Sequence, residues 1–81
     1  MENNQVKQLL EKEFINGDIQ VEGDGYHYQI VVISNLFTGL SRIKRTQKVY
    51  AVLNDAIQSG ALHALSVKAF TVQEWSDKHN G

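Results

Sequence analysis

An amphipathic helix that separates two strand-like segments limits the folds open to this chain. Its apolar residues recur at helical spacing, at Val49, Val52, Leu53, Ala56 and Ile57. Gly60 follows them at the position where a glycine commonly ends a helix. The flanking segments, YHYQIVVIS at 26–34 and LHALSVKAF at 62–70, are rich in β-forming residues. Two neighbouring strands joined through such a helix run parallel, with a right-handed crossover.

The residues before this unit predict a helix followed by an antiparallel hairpin. Asn3 or Asn4 is placed to cap the helix and Gly17 to end it; between them, apolar residues fall at helical spacing at Val6, Leu9, Leu10 and Phe14. Alternating residues at 19–22 then form a strand, and the GDG at 23–25 provides the glycines of a tight reversal.

The end of the chain predicts a short helix. Thr71 and Glu74 have the spacing of a capping box, and Trp75 follows on the helix that it opens. Ser41 is a candidate cap for the central helix. The complete order is αββαβα, which we interpret as one α+β domain over residues 1–81 with a three-stranded mixed sheet and helices on one face.

Composition narrows the classes of function. The chain has no cysteine, which excludes disulfides, thiolate zinc sites and a self-contained iron–sulfur centre. Its net charge of -1 creates no overall attraction to nucleic acid or to anionic membranes. No segment approaches the roughly 20 apolar residues of a membrane span, so we expect a cytoplasmic protein with no membrane partner.

Half of the basic residues lie close together in the segment RIKRTQK. Four of the eight are found there: Arg42, Lys44, Arg45 and Lys48. Such a cluster is typical of a solvated helix face or of a surface that docks a partner. Direct binding of nucleic acid is the less favoured interpretation, because no aromatic residues alternate with the cations to stack on bases.

The titratable residues do not indicate an enzyme. No serine lies in a nucleophile motif and no phosphate-binding loop is present. His63 shares strand parity with Leu65 and Val67, which favours a partly buried, hydrogen-bonded histidine; the alternative is a metal ligand held at the start of a strand. His27, near the hairpin turn, has the pattern of a solvated strand residue.

Several short motifs together resemble one family. They are the F-x-G at Phe37 and Gly39, the basic stretch before Val49, the H-A-L at 63–65 and the T-x-x-E-W at 71–75. In these, the chain resembles the BolA family over nearly its whole length, and most closely the short bacterial IbaG-like branch. The resemblance implies an α+β fold similar to a type II KH domain.

The resemblance also implies a function in iron–sulfur and iron homeostasis. It implies a monothiol glutaredoxin partner, a [2Fe–2S] cluster shared with that partner and its glutathione, and a ligand role for His63. The second ligand stays open between His27, Asp24 and none, because the short loop EGDGY lacks the histidine or cysteine of many relatives. We expect the isolated protein to hold no cofactor and to be a monomer or a weak homodimer. Some relatives are DNA-binding transcription regulators, which keeps DNA as the alternative partner.

Overall fold

The computed structural model describes residues 1–80 and has the predicted order of elements. A 3-10 turn at Asn35–Phe37 is the one addition to that order across residues 1–80. The helices and strands, in chain order, are α1 (Asn3–Glu13), β1 (Asp18–Gly23), β2 (His27–Ile33), α2 (Arg42–Gln58), β3 (Ala64–Phe70) and α3 (Val72–Asn80). The predicted α+β class is therefore confirmed.

The three strands form one mixed sheet in the order β1-β2-β3. β1 and β2 pair antiparallel, as the hairpin prediction requires, with Val21 opposite Ile30. β2 and β3 pair parallel, with His27 opposite Ala64 and Ile33 opposite Phe70. The helix α2 is the crossover between them, so the predicted mixed sheet is confirmed.

The core lies between one face of the sheet and the helices α1 and α2. The side chains of Tyr28, Ile30 and Val32 point into it from the central strand, at the period of two that extended backbone imposes. Strand β1 adds Ile19 to this cluster. The helices and the connecting segments supply its other buried members: Val6, Leu10, Phe14, Phe37, Val49, Leu53 and Leu62. Helix α3 packs at the end of β3, where the Trp75 ring lies 5.3 Å from that of Phe70.

The ends of α1 differ from the prediction. The residue before the helix is Glu2, whose N–H donates to Gln5 Oε1 at 2.8 Å, so the predicted caps Asn3 and Asn4 lie inside the first turn. Asn16, with φ of 66°, adopts the left-handed conformation expected of Gly17. Gly17 is needed for space instead, because a Cβ there would lie 2.9 Å from the Phe14 carbonyl oxygen.

The segment between β2 and α2 is held by two serine caps. Ser34 Oγ accepts the Leu36 N–H at 3.1 Å and starts the 3-10 turn, which buries Phe37 with its ring 5.2 Å from that of Phe14. Gly39 then takes a φ of 80°, which a side chain would strain. Ser41 Oγ accepts the Lys44 N–H at 3.3 Å, which confirms the predicted cap of α2.

The predicted capping box at the start of α3 is also confirmed. The Thr71 N–H donates to Glu74 Oε1 at 2.8 Å, and the Glu74 N–H donates to Thr71 Oγ1 at 3.2 Å. None of the helices in residues 1–80 is both long enough and apolar enough to cross a bilayer.

Candidate functional site

The hairpin turn fixes the start of β2. Asp24 Oδ1 accepts the backbone N–H groups of Tyr26 and His27, each at 2.9 Å, in the manner of an aspartate-initiated turn. These two bonds, the one from His27 first, lower the pKa of the Asp24 carboxyl below its ordinary value. Gly25, with φ of 94°, completes the reversal. The turn therefore holds Tyr26 and His27 where β2 begins.

His63 lies just before β3, between two anchored neighbours. The Leu62 side chain is 1% exposed, and its N–H donates to the Ala56 carbonyl at 3.1 Å. The Ala64 N–H donates to the Tyr26 carbonyl at 3.3 Å. His63 itself is exposed, so the pattern-based prediction of a partly buried histidine is wrong. The strand predicted over 62–70 begins at Ala64 in the structure, two residues later. His63 therefore lies outside the strand and does not follow its alternation of buried and exposed side chains.

Three aromatic rings meet where the hairpin turn lies beside the residue before β3. We name Tyr26, His27 and His63 the histidine cluster. The rings of Tyr26 and His63 stack with centroids 5.2 Å apart and an interplanar angle of 18°. The rings of Tyr26 and His27 meet edge to face at 4.9 Å and 77°. All three side chains are exposed, so the cluster presents two imidazoles to solvent at one end of the sheet.

Tyr26 is the member that sequence reasoning missed. Its strand parity matches that of Tyr28, and this pattern predicts both tyrosines in or beside the core. Tyr28 is buried, whereas Tyr26 is 56% exposed, because it belongs to the turn that precedes β2. The available signal was its position directly after Gly25, where the chain is still reversing.

The histidine cluster offers an incomplete set of metal ligands. Imidazole nitrogen suits iron, zinc and copper, yet within residues 1–80 no three histidine, aspartate or glutamate side chains group as a metal site. One oxygen of Asp24 already accepts two N–H groups of the turn. Within residues 1–80, the histidine cluster therefore offers at most two imidazole nitrogens to a metal group and not a complete ligand set.

The basic residues of α2 do not form one solvated face. Arg45 is only 11% exposed, and its guanidinium donates to Glu74 at 2.6 Å, to the Leu40 carbonyl at 2.9 Å and to the Ala69 carbonyl at 3.3 Å. The expected solvated position of Arg45 is therefore wrong, while its role as a partner contact stays a prediction. This bond network ties α2 to β3 and α3, which gives Arg45 a structural role. Its guanidinium is the main cause that lowers the pKa of Glu74 to about 2.

The other three cations remain available for contact. Arg42 and Lys44 are exposed and Lys48 is half-buried. They occupy the first half of α2, which meets β3 near Ala69, whereas the last turns of α2 lie near Leu62. Because a helix of 17 residues is about 25 Å long, the cations and the histidine cluster lie near opposite ends of the domain.

The family to which this architecture belongs is clear. The family model for BolA-like proteins matches residues 4–74, a range that includes both histidines of the cluster. The chain therefore belongs to the BolA family. It is 40% identical over 76 residues to the acid stress protein IbaG of Escherichia coli K12, covering 94% of this chain and 90% of that protein. This similarity supports the IbaG-like branch of the family.

Solved structures show the same fold. A BolA protein homologue from Coxiella burnetii superposes with a TM-score of 0.83 and 32% identity, over 94% of this chain and 97% of that one. The BolA domain of SufE1 from Arabidopsis thaliana gives a TM-score of 0.79 and 32% identity, over 89% and 93% of the two chains. A more distant relative, 26% identical over 80 residues and covering 86% of this chain and 77% of its own length, is the DNA-binding transcriptional regulator BolA of Haemophilus influenzae.

Proposed function

We propose that this protein is a cytoplasmic, non-enzymatic adapter that binds a monothiol glutaredoxin and contributes His63 as a ligand to a shared [2Fe–2S] cluster. The observation that carries the proposal is the placement of His63. Its neighbours Leu62 and Ala64 are both hydrogen-bonded to the fold, while its own side chain is exposed. A ligand held in this way meets a partner with little backbone movement.

The composition of the chain accounts for the need for a partner. Without cysteine, the chain offers no thiolate, the usual ligand of iron in such clusters. A glutaredoxin and its glutathione would supply thiolates, and imidazole nitrogen would replace thiolate on one iron, as it does in Rieske centres. The cluster is then cargo held between two proteins, which agrees with the incomplete ligand set described above.

His27 is the favoured second ligand. In the sheet register His27 pairs with Ala64, the first residue of β3. Its ring contacts that of Tyr26 and so belongs to the histidine cluster together with His63. Asp24 is less suited, because one of its oxygens closes the turn through two N–H bonds. We therefore rank His63 first and His27 second.

The test is anaerobic reconstitution of the cluster with a monothiol glutaredoxin, glutathione and this protein. We expect the visible absorption and circular dichroism spectra of the glutaredoxin cluster to change when this protein is added. His63→Ala should abolish that change, and His27→Ala should reduce it. His79→Ala is the matched control, because His79 is exposed and its ring lies against Trp75, outside the histidine cluster.

Stability measurements make the result interpretable. His63 is exposed and its ring stacks on that of Tyr26, so His63→Ala should keep the fold. If this folded variant gives the same mixed spectrum as the unmodified protein, the ligand role is refuted. If the unmodified protein never changes the glutaredoxin spectrum, the adapter role itself is refuted.

Regulation of transcription through DNA is the second candidate function. It is favoured by the exposed cations Arg42 and Lys44 and by the similarity to the H. influenzae regulator. Neutralising several phosphates would make the affinity for a DNA duplex fall steeply with salt. The double variant Arg42→Glu and Lys44→Glu should then flatten the salt slope, whereas His63→Ala should leave it unchanged.

A further inference from the structure

The outer edge of β3 carries a row of outward-facing backbone groups. Ala64 N–H bonds to Tyr26 and Phe70 C=O accepts from Ser34, so residues 64, 66, 68 and 70 direct their backbone groups toward β2. In a parallel ladder the alternate residues, 65, 67 and 69, then direct theirs outward. The Arg45 guanidinium, which reaches the Ala69 carbonyl from that side, agrees with this orientation. Across residues 1–80, no strand pairs with this edge.

A groove of about 260 Å³ runs beside this edge, and its charge is positive. The first turns of α2 and the last turn of α3 form its walls, and we name it the β3 groove. It is lined by Arg42, Arg45, Thr46, Val67, Lys68, Ala69, Phe70 and Lys78. Glu74 neutralises Arg45, but the lining itself contains no acidic residue to balance Arg42, Lys68 and Lys78.

We propose that the β3 groove binds an extended, acidic segment of a partner protein, which adds to the sheet as a fourth strand beside β3. The backbone groups of Leu65 and Val67 and the N–H of Ala69 would form the ladder. Acidic side chains of the added segment would lie near Lys68 and the neighbouring cations. Addition of a strand to an open edge is an established mode of peptide recognition, in which the main chain supplies affinity and the side chains supply specificity.

The structure favours this occupant over a nucleic acid. Single-stranded nucleic acids are held by cations together with exposed aromatic faces on which bases stack. Phe70, the aromatic residue of the groove, is half-buried, with the Trp75 ring at 5.3 Å and Lys78 Nζ 5.3 Å from its ring centroid. A row that alternates N–H donors with C=O acceptors is matched by another peptide backbone, whereas phosphate groups only accept and leave the carbonyls unpaired.

A second copy of this chain fits less well. Pairing of two β3 edges would bring Lys68, Lys78 and Arg42 of both copies together, and like charges at such a contact oppose association. The inference does not rest on the proposed cluster function, because the groove lies toward the Phe70 end of β3. The β3 residues of the groove begin at Val67, four residues after His63, or about 13 Å along an extended strand.

The experiment titrates ¹⁵N-labelled protein with a blocked hexapeptide of alternating glutamate and valine and follows the backbone amides by NMR. The alternation directs glutamate and valine to opposite faces of an added strand. We expect the largest shifts at Leu65, Val67 and Ala69. Lys68→Glu should weaken binding about threefold to tenfold, whereas Lys12→Glu, an exposed reversal on α1, should not change it.

Two further peptides separate strand addition from simple charge attraction. A lysine–valine peptide should bind much more weakly, and a glutamate–valine peptide with alternate backbone nitrogens methylated should lose binding, because it cannot complete the ladder. The proposal is overturned if the methylated peptide binds equally, if no binding occurs at millimolar peptide, or if the shifts lie elsewhere. Stronger shifts of the same amides with a DNA oligonucleotide would overturn the proposal in favour of a nucleic acid. Stronger shifts with rising concentration of the protein alone would overturn it in favour of a second copy of the chain.

Discussion

A double-mutant cycle on Tyr26 and His63 measures the contact that organises the histidine cluster. The ring centroids are 5.2 Å apart at 18°, within the range of offset stacked pairs, which contribute about 0.5–1.5 kcal/mol beyond area burial. Since both side chains are exposed, we expect a coupling free energy in the lower half of that range, about 0.5–1 kcal/mol. Tyr26→Ala should destabilise more than His63→Ala, because it also removes the contact with His27.

Urea denaturation of the four proteins in the cycle gives the coupling directly. In a domain of this size the free energy of unfolding falls by about 1 kcal/mol per molar urea. The coupling therefore shifts the urea midpoint of the double variant by about 0.5–1 M from the value expected if the two single changes were additive. A cycle on Leu36 and His63 is the control, because Leu36 is similarly exposed and follows the opposite end of β2. A Tyr26–His63 coupling no larger than that of the control would refute the stacked cluster.

Three further predictions concern stability. Arg45→Ala should lower the free energy of unfolding by about 1–3 kcal/mol, because the Leu40 and Ala69 carbonyls lose their donor. Lys48→Ala should change it by less than about 0.5 kcal/mol in the same denaturation assay. The bonds from Arg45, and after them the bond from the Thr71 N–H, lower the pKa of Glu74 from 4.5 to about 2. The stability that these bonds contribute should therefore be complete above pH 4.5 and disappear as the pH falls through about 2, and Glu74→Gln should flatten that part of the stability–pH curve. Phe37→Ala should cost about 3–5 kcal/mol in thermal or urea unfolding, because its fully buried ring leaves a cavity; a loss below 1 kcal/mol would contradict the described core.

The elements with local signals were predictable from the sequence. Val49 and Leu53 lie on the apolar stripe of α2 and are fully buried, and the glycines at 23 and 25 bracket the hairpin turn. These features depend on residues a few positions apart, so periodicity and turn chemistry suffice to find them. The parallel pairing of β2 with β3 followed from the helix between them.

The features that depend on distant residues were not predictable in the same way. Arg45 and Glu74 are 29 positions apart, and no local pattern indicates that a cation in a basic run is partly buried. The exposure of His63 depends on Leu62 entering the core one residue earlier, so the alternation of β3 begins only after the histidine, at Ala64. The residue motifs of the family indicated the importance of His63, but the stacking on Tyr26 required the register of the folded chain.

The hairpin turn and the α2–β3 connection differ in how well they could accept inserted residues. A Cβ built at Gly25 meets nothing within 4 Å, and the turn residues 24–26 contribute nothing to the core cluster. The α2–β3 connection is different, because Leu62 is locked into the core beside His63. An insertion in the hairpin turn should therefore leave the core packing intact, whereas an insertion beside His63 should displace Leu62 from the core. A longer turn would change the surface beside His63 while the histidine keeps its place on the fold.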